Sequence, residues 1–478
     1  MRNLVNGKEY DSSDGEAIEV RNPANNQLIA TVPASTEEDV DFCVKSAVEA
    51  QKYWAEVPLY ERGKILERFA NLVDRDAETL AITLCRETGK TIKEARAEVA
   101  NTRTFVSAYV EKAKHLYGIN IPAGNEPGVE KTMQFTIRQP IGVVACIIPF
   151  NFPCDLFGQK VPSALIMGNS VIVKPSSCNP LTIHKYCLLL REAGIPDGVI
   201  NCISGEGPVV GQALARHKGV HLVSLTGSTQ VGKETMATAS RNLTPVSLEL
   251  GGNDAFILDR DGDIDLAVNE VIWGRLYNAG QVCCASKRFL VHRGIYEEFL
   301  NKLISKISRV KVGDPMSETT QVGCLINEQA AIMVQEQVKQ TVDEGATLVF
   351  GGRRKGAFYE PTVLTGVTRN MEVMKDMEIF GPVVPICVFD DIEEAIEIAN
   401  QSTYGLCGSI ITRDMNNAFK VATKLEVGGA IINGASFFRS AEMPFGGWKN
   451  SGIGTEGIAS TLEEMSKLKT IVLKNVLE

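Results

Sequence analysis

The sequence predicts an α/β protein in two units, each a mostly parallel sheet covered by helices, with a small separate β element. Three observations carry this. From Gly142 onward, short runs rich in β-branched residues (VVACIIPF, SVIVKP, VINCIS, HLVSLTG) alternate with helical patterns at residues 180–193, 207–216 and 230–240. Continuous apolar strands alternating with helices mark a parallel sheet buried on both faces. A second series in the same rhythm begins near residue 251, with KRFLVH, ATLVF, PICVFD, CGSIIT and GGAIIN near helical stretches such as 327–344 and 391–400. Two further stretches, Lys131–Gln139 and the C-terminal KTIVLKNV, read as exposed strands outside either rhythm. Unpaired strand edges generally find a partner, so they are expected to form an oligomerisation element.

A length of 478 residues fits two to three domains of ordinary size. The expected division is residues 1–118 with 142–250, then 251–440, with 119–141 and 458–478 as the β element. The N-terminal part opens with strands and continues as helices. Ser35-Thr36-Glu37-Glu38 reads as a capping box before an amphipathic run to Trp54. Helical runs over Glu61–Arg86 and Thr91–His115 follow, broken at Gly89-Lys90.

The net charge of -9 lacks the basic footprint of a nucleic-acid binder. The polar N-terminus has no basic segment followed by an apolar run, and no apolar stretch reaches the ~18–20 residues that cross a bilayer. A cytoplasmic protein without a membrane partner is expected. The twelve cysteines are mostly isolated and the five histidines lie far apart. That spacing suggests neither a disulfide framework nor a metal site.

Cys283 and Cys284 follow a glycine turn in NAGQVCCA, after a helical run over 264–277. They could be a pair of buried thiols or include a nucleophile, which needs access, a base and oxyanion donors. Glu249, in SLELGG, sits at a strand end between apolar residues, where burial would raise its pKa towards the useful range for a general base. Asn151 stands between the prolines of PFNFP, either as a rigid amide donor or as a turn asparagine. Gly227-Ser228-Thr229-Gln230-Val231-Gly232 follows a strand and opens a helix, whose N-terminus can face a phosphate. Two other glycine patterns fit less well. Gly452–Gly457 is a literal G-x-G-x-x-G but follows no strand, and Gly205–Gly211 is one residue too long.

Seven motifs occur in one register: PFNFP (149–153), VKPS (173–176), LTGSTQVG (225–232), LELGG (248–252), GQVCC (280–284), EIFGPV (378–383) and PFGGWKNSG (444–452). In order and spacing, including the 34 positions from Glu249 to Cys283, the chain resembles the aldehyde dehydrogenase superfamily over nearly its whole length. The resemblance implies a Rossmann-like cofactor domain, a second α/β catalytic domain and a homodimer or homotetramer. It also implies NAD(P)-dependent oxidation of an aldehyde. Cys283 would attack the carbonyl carbon, the Cys283 N–H and Asn151 would hold the oxyanion, and hydride would pass to the nicotinamide. Glu249 would then activate water to hydrolyse the thioester. CoA-acylating relatives typically lack this glutamate, so water is the expected acceptor. Catalytically silent relatives are disfavoured by the intact set.

The resemblance places the cofactor, NADP or NAD, against Ile148, Pro149, Phe150, Lys174, Ser177, Gly207, Gly211, Thr226, Gly227, Ser228, Val231, Leu250, Gly251, Glu378 and Phe380. NAD-preferring relatives often carry Glu where Ser177 stands, and Ser removes its repulsion of a 2′-phosphate, so NADP is expected to be accepted and even preferred. Around the substrate it places Asp155, Gln159, Val282, Cys284, Phe437, Phe438 and Arg439. Polar Asp155 and Gln159 suggest a small, hydroxylated or anionic aldehyde, similar to the lactaldehyde, glycolaldehyde and glyceraldehyde-phosphate branch. Arg439 reads either as a partner for a carboxylate or phosphate or as a surface loop arginine. Succinate semialdehyde is a further candidate, although relatives using it often carry arginine at the position of Gln159.

Overall fold

The computed structural model describes residues 1–476. A hairpin pairs Ala17–Arg21 with Leu28–Pro33, and helices Glu37–Glu56, Leu59–Arg75, Ala77–Thr88 and Ile92–Ala113 follow. The first helix is capped one residue later than expected. Thr36 accepts from the Asp39 N–H and Asp39 accepts from the Thr36 N–H, because the Ser35 hydroxyl is already taken by the Asn3 amide at 2.7 Å. The run expected over Glu61–Arg86 is two helices divided at Asp76.

The first sheet has eight strands, ordered Lys8–Tyr10, Asn3–Val5, Ile200–Cys202, Ser170–Lys174, Val143–Ile147, Leu222–Thr226, Val246–Glu249 and Gly452–Ile453. The five from Ile200–Cys202 to Val246–Glu249 are parallel, as the rhythm predicts. Both flanks are antiparallel and come from distant parts of the chain: Leu4 pairs with Cys202, and Leu248 with Ile453. From Val143–Ile147 the chain steps outward to Ser170–Lys174 and Ile200–Cys202, then returns and steps the other way through Leu222–Thr226. A crevice opens beyond the carboxyl ends at such a switch point.

The second sheet has seven strands, ordered Thr347–Phe350, Thr362–Val367, Val383–Phe389, Ser286–His292, Asp254–Leu258, Cys407–Ile411 and Gly429–Ile432. Only Thr347–Phe350 runs antiparallel. Thr362–Val367 is absent from the sequence reading; it starts just after Pro361 and contains Gly366, yet its first four residues are buried. Each sheet has its own apolar core, one including Leu66, Phe69, Phe157 and Tyr186, the other Phe256, Phe289, Leu303 and Phe389.

The two orphan strands pair with each other. Met133–Pro140 runs antiparallel to Ser466–Leu473 from Met133↔Leu473 to Pro140↔Ser466, and Asn120–Ile121 joins the far side. The segment expected over 458–478 is not uniform. Ile458, Leu462 and Met465 lie in the first core, so the strand begins only at Ser466, and residues 477–478 lie outside the described residues. No helix among the described residues is long and apolar enough to cross a membrane, and no group of acidic, cysteine or histidine side chains among them could hold a metal.

Candidate active site

In-register pairing lines up four carboxyl ends. Lys174 pairs with Ile147, Leu225 with Ile147 from the other side, and Thr226 with Glu249. Lys174, the Ile148–Asn151 turn, Thr226 and Glu249 therefore lie along one rim of the first sheet. Ile148 is tied to it by its N–H to the Lys174 carbonyl at 2.9 Å.

The loop that leads to Cys283 is a strained turn. Asn278 and Ala279 have φ of 50° and 53°, and Gly280 follows at 78°. Left-handed backbone at non-glycine residues persists only where the surroundings over-determine it. Here Glu94 accepts from the Asn278 N–H at 2.8 Å, and Asn278 Nδ2 donates to the Asn151 carbonyl at 2.9 Å. Asn151 Nδ2 donates to the Gln281 carbonyl at 3.1 Å. An amide nitrogen carries two hydrogens, so this contact orients Asn151 and leaves one N–H for another acceptor.

Lys90 completes the brace. It is buried, ion-paired with Glu98, donates to the Asn151 carbonyl at 2.8 Å and lies over the Phe152 ring. Glu98 also accepts from the Cys154 N–H at 2.8 Å. The sequence reading took Lys90 only as part of a helix break and passed over Glu94 and Glu98, two acidic residues on the following helix whose partners lie far along the chain.

Cys283 is half-buried, whereas Cys284 is buried with Val282 in an apolar cluster containing Leu406, Cys407 and Phe445. The Cys284 thiol and burial push the Cys283 thiol well up, while Lys287 and Arg439 pull it down. Glu249 is buried, and its Oε2 has no hydrogen-bond partner. Burial raises its carboxyl well above the usual range, and Glu456 adds to the rise. Lys160 and Arg439 oppose it, and the Cys283 charge also bears on it. Lys160 pairs with Glu456 at 2.8 Å, both buried. Glu456 belongs to the Gly452–Gly457 stretch, which fails as a phosphate loop but forms the edge strand that delivers this carboxylate.

Close approach explains the paired glycines after Glu249. A Cβ on Gly251 would stand 2.5 Å from Glu378 Oε2, and one on Gly252 would stand 2.9 Å from the Cys283 carbonyl. Glu378 accepts from the Gly252 N–H at 3.2 Å and faces Lys287 at 3.2 Å. Three motifs thus meet within van der Waals distance.

Apart from Phe380, the other predicted cofactor residues lie at or just beyond the carboxyl ends of the first sheet's strands. The rings of Phe150, beside Pro149, and Phe380 meet edge to face at 6.0 Å. Thr226 is buried with its hydroxyl unpartnered, next to Gly227, whose N–H donates to the Glu249 carbonyl. Ser228 caps helix Thr229–Ala239 by accepting from the Val231 N–H, and both residues are exposed. Leu250 is buried. Gly207 and Gly211 bound a single helical turn after strand Ile200–Cys202. Lys174 is buried, and desolvation brings it down to about 8.

The predicted substrate residues divide. Asp155 and Gln159 lie on helix Pro153–Ile166, and burial lifts Asp155 to about 8. Arg439 stacks over Phe445 at 3.7 Å and approaches Glu456 at 3.8 Å, so it is no free surface arginine. Val282 and Cys284 face the apolar cluster. Phe437 packs against Phe152, Tyr277 and Trp273 at 6.3, 5.0 and 4.9 Å, whereas Phe438 is 51% exposed. Trp273 and Tyr277 come from the helix before the nucleophile loop and from the turn it enters, and sequence reasoning missed both.

A sequence model of the Aldehyde dehydrogenase family matches residues 10–471. The chain is 40% identical to the 3-sulfolactaldehyde dehydrogenase of Priestia megaterium, over 98% of this chain and 97% of that one. It is 38% identical to the mitochondrial succinate-semialdehyde dehydrogenase of Arabidopsis thaliana, over 98% and 88%. The crystal structure of an E. coli NADP-dependent enzyme superposes with a TM-score of 0.96 at 34% identity, covering 99% of this chain and 98% of that one. With the Asn151 amide bonded to the loop that carries Cys283 and Glu249 close enough to feel the Cys283 charge, the chain belongs to the aldehyde dehydrogenase family.

Proposed function

We propose that the protein oxidises a small polar or anionic aldehyde to its carboxylate, with Cys283 as nucleophile, Glu249 as base, Asn151 as oxyanion donor and NAD or NADP as oxidant. The observation that carries this is Glu249, a buried carboxyl with an unpartnered oxygen that interacts with Cys283. Residues 1–118 with 142–250 would hold the dinucleotide, 251–440 would carry the nucleophile, and the strands within 119–141 and 458–478 would join subunits of a homodimer or homotetramer. The twelve cysteines are all free, which suits a reducing, cytoplasmic setting.

The rim suits a dinucleotide. Thr226 offers an unpartnered buried hydroxyl, the N-terminus of helix Thr229–Ala239 is open to an anion, and Glu378 can accept from ribose hydroxyls. Bound there, NAD or NADP supplies the two-electron acceptor. The chain does the rest. Cys283 gives up its thiol proton to a solvent water and Sγ bonds to the carbonyl carbon. The free N–H of Asn151 and the Cys283 N–H hold the resulting oxyanion. Oxidation leaves the acyl group on sulfur as a thioester. Glu249 then takes a proton from water, the water oxygen bonds to the acyl carbon and the C–S bond breaks, releasing the carboxylate.

Cys283→Ala should abolish aldehyde-dependent formation of reduced nicotinamide while cofactor binding persists. Glu249→Gln should keep a single-turnover burst and lose steady turnover by about 10²–10⁴-fold. Retained turnover in either variant, or activity that demands CoA, would defeat the proposal.

Arg439 supports an anionic substrate, because its positive charge bears on both Cys283 and Glu249. The two relatives named above act, by their names, on aldehydes that carry a sulfonate or a carboxylate. Arg439→Ala should lower kcat/KM for such aldehydes about tenfold or more relative to a neutral aldehyde of the same length. Equal losses on both would remove the anion site.

A further inference from the structure

Lys174, Ser177 and Glu206 converge at the outer end of the crevice. Lys174 ends strand Ser170–Lys174, and Glu206 follows the neighbouring parallel strand Ile200–Cys202. The register Val173↔Cys202 sets those ends side by side, so the segments that continue from them meet. Ser177 Oγ lies 3.5 Å from Glu206 Oε2, and Glu206 is near enough to act on the Lys174 charge. Lys174 is buried, and its Nζ is turned to the Pro175 carbonyl at 3.1 Å. The Glu206 side chain is exposed, at the entry to the turn Gly207–Gly211.

We infer that Glu206 discriminates NAD from NADP in this protein, its carboxylate accepting from the adenosine ribose hydroxyls and repelling a 2′-phosphate. This rests on the crevice being the dinucleotide site. In doubly wound folds an acidic side chain beyond a strand end binds the ribose hydroxyls, whereas acceptance of the 2′-phosphate calls for an arginine there. The groups gathered here are an acid, a hydroxyl and a lysine already engaged by a carbonyl. Ser177 alone would tolerate a phosphate. Donating to Glu206, it becomes an anchor for a negative charge supplied from another strand. The carboxylate that the sequence lacks at position 177 thus reaches the same place from position 206.

The test is equilibrium binding of NAD and NADP to the full-length wild type, Glu206→Gln and Ser177→Ala, followed by calorimetry with no aldehyde present. Like charges ~5 Å apart near a protein surface change a binding ratio by about tenfold or more. The wild type should favour NAD. Glu206→Gln should shift the ratio towards NADP by about that factor, mainly through tighter NADP, and Ser177→Ala should shift it less in the same direction. Competition with 5′-AMP and 2′,5′-ADP should reproduce the shift and place it at the 2′ position. A wild type that prefers NADP, or a ratio unmoved by Glu206→Gln, overturns the assignment alone. A folded wild type that binds neither dinucleotide overturns the crevice reading and the assignment with it.

Discussion

At the scale of single residues, the distinctive group is Glu249, a carboxyl raised by burial and held between charges of opposite sense. Its effect on rate should follow those charges. As a base it acts ionised, so kcat should rise with pH through its raised pKa. Glu456→Gln removes a negative charge that holds the proton on Glu249, and should move the acid limb of the kcat profile to lower pH. Lys160→Met removes a positive charge that favours ionisation, and should move the limb to higher pH. Profiles measured with saturating cofactor decide this, and limbs moving the same way in both variants would refute the electrostatic account. Cys283, Glu249 and Asn151 could be singled out from local context, a glycine turn, a strand end and a pair of prolines, but their expected roles came from the seven motifs in register. Glu456 could not be singled out in this way. It is 296 positions from Lys160 and lies in a stretch whose glycines suggest a different task.

At the scale of elements, helix Ile92–Ala113 and the turn before it act as a brace. Lys90, Glu94 and Glu98 hold the Asn151 turn and the Cys283 loop through buried, charge-assisted contacts, the strong kind. Lys90→Met leaves Glu98 buried without its cation and should cost about 3–5 kcal/mol of stability, read by thermal or denaturant unfolding. The double variant Lys90→Met/Glu98→Leu removes both charges and should recover most of that loss. Its kcat should stay low, because the Asn151 carbonyl keeps the Asn278 amide but still lacks its charged donor. Recovery of kcat along with stability would reduce Lys90 to a structural role. Most helices and parallel strands were readable from apolar periodicity. The misplaced capping box and the missed Thr362–Val367 strand share one cause: a local signal overridden by a tertiary partner, Asn3 in one case and the two strands that flank Thr362–Val367 in the other.

At the scale of the whole molecule, strand Ser466–Leu473 leaves one edge of its sheet open, and Leu468 and Val472 are 53% and 49% exposed on one face. Apolar side chains beside an open edge suit pairing with a second copy. Leu468→Asp with Val472→Asp should reduce the assembly by at least one step in sedimentation velocity, and an unchanged mass would exclude this sheet as the contact. The neighbouring strand Gly452–Ile453 has a different consequence. It closes the first sheet beside Glu249, and the same stretch brings Glu456 to Lys160. A nascent chain therefore carries Asn151, Glu249 and Cys283 well before the segment with Glu456 is made. Contacts this distant in sequence form slowly, so the charged surroundings of Glu249 are complete only once that segment has docked.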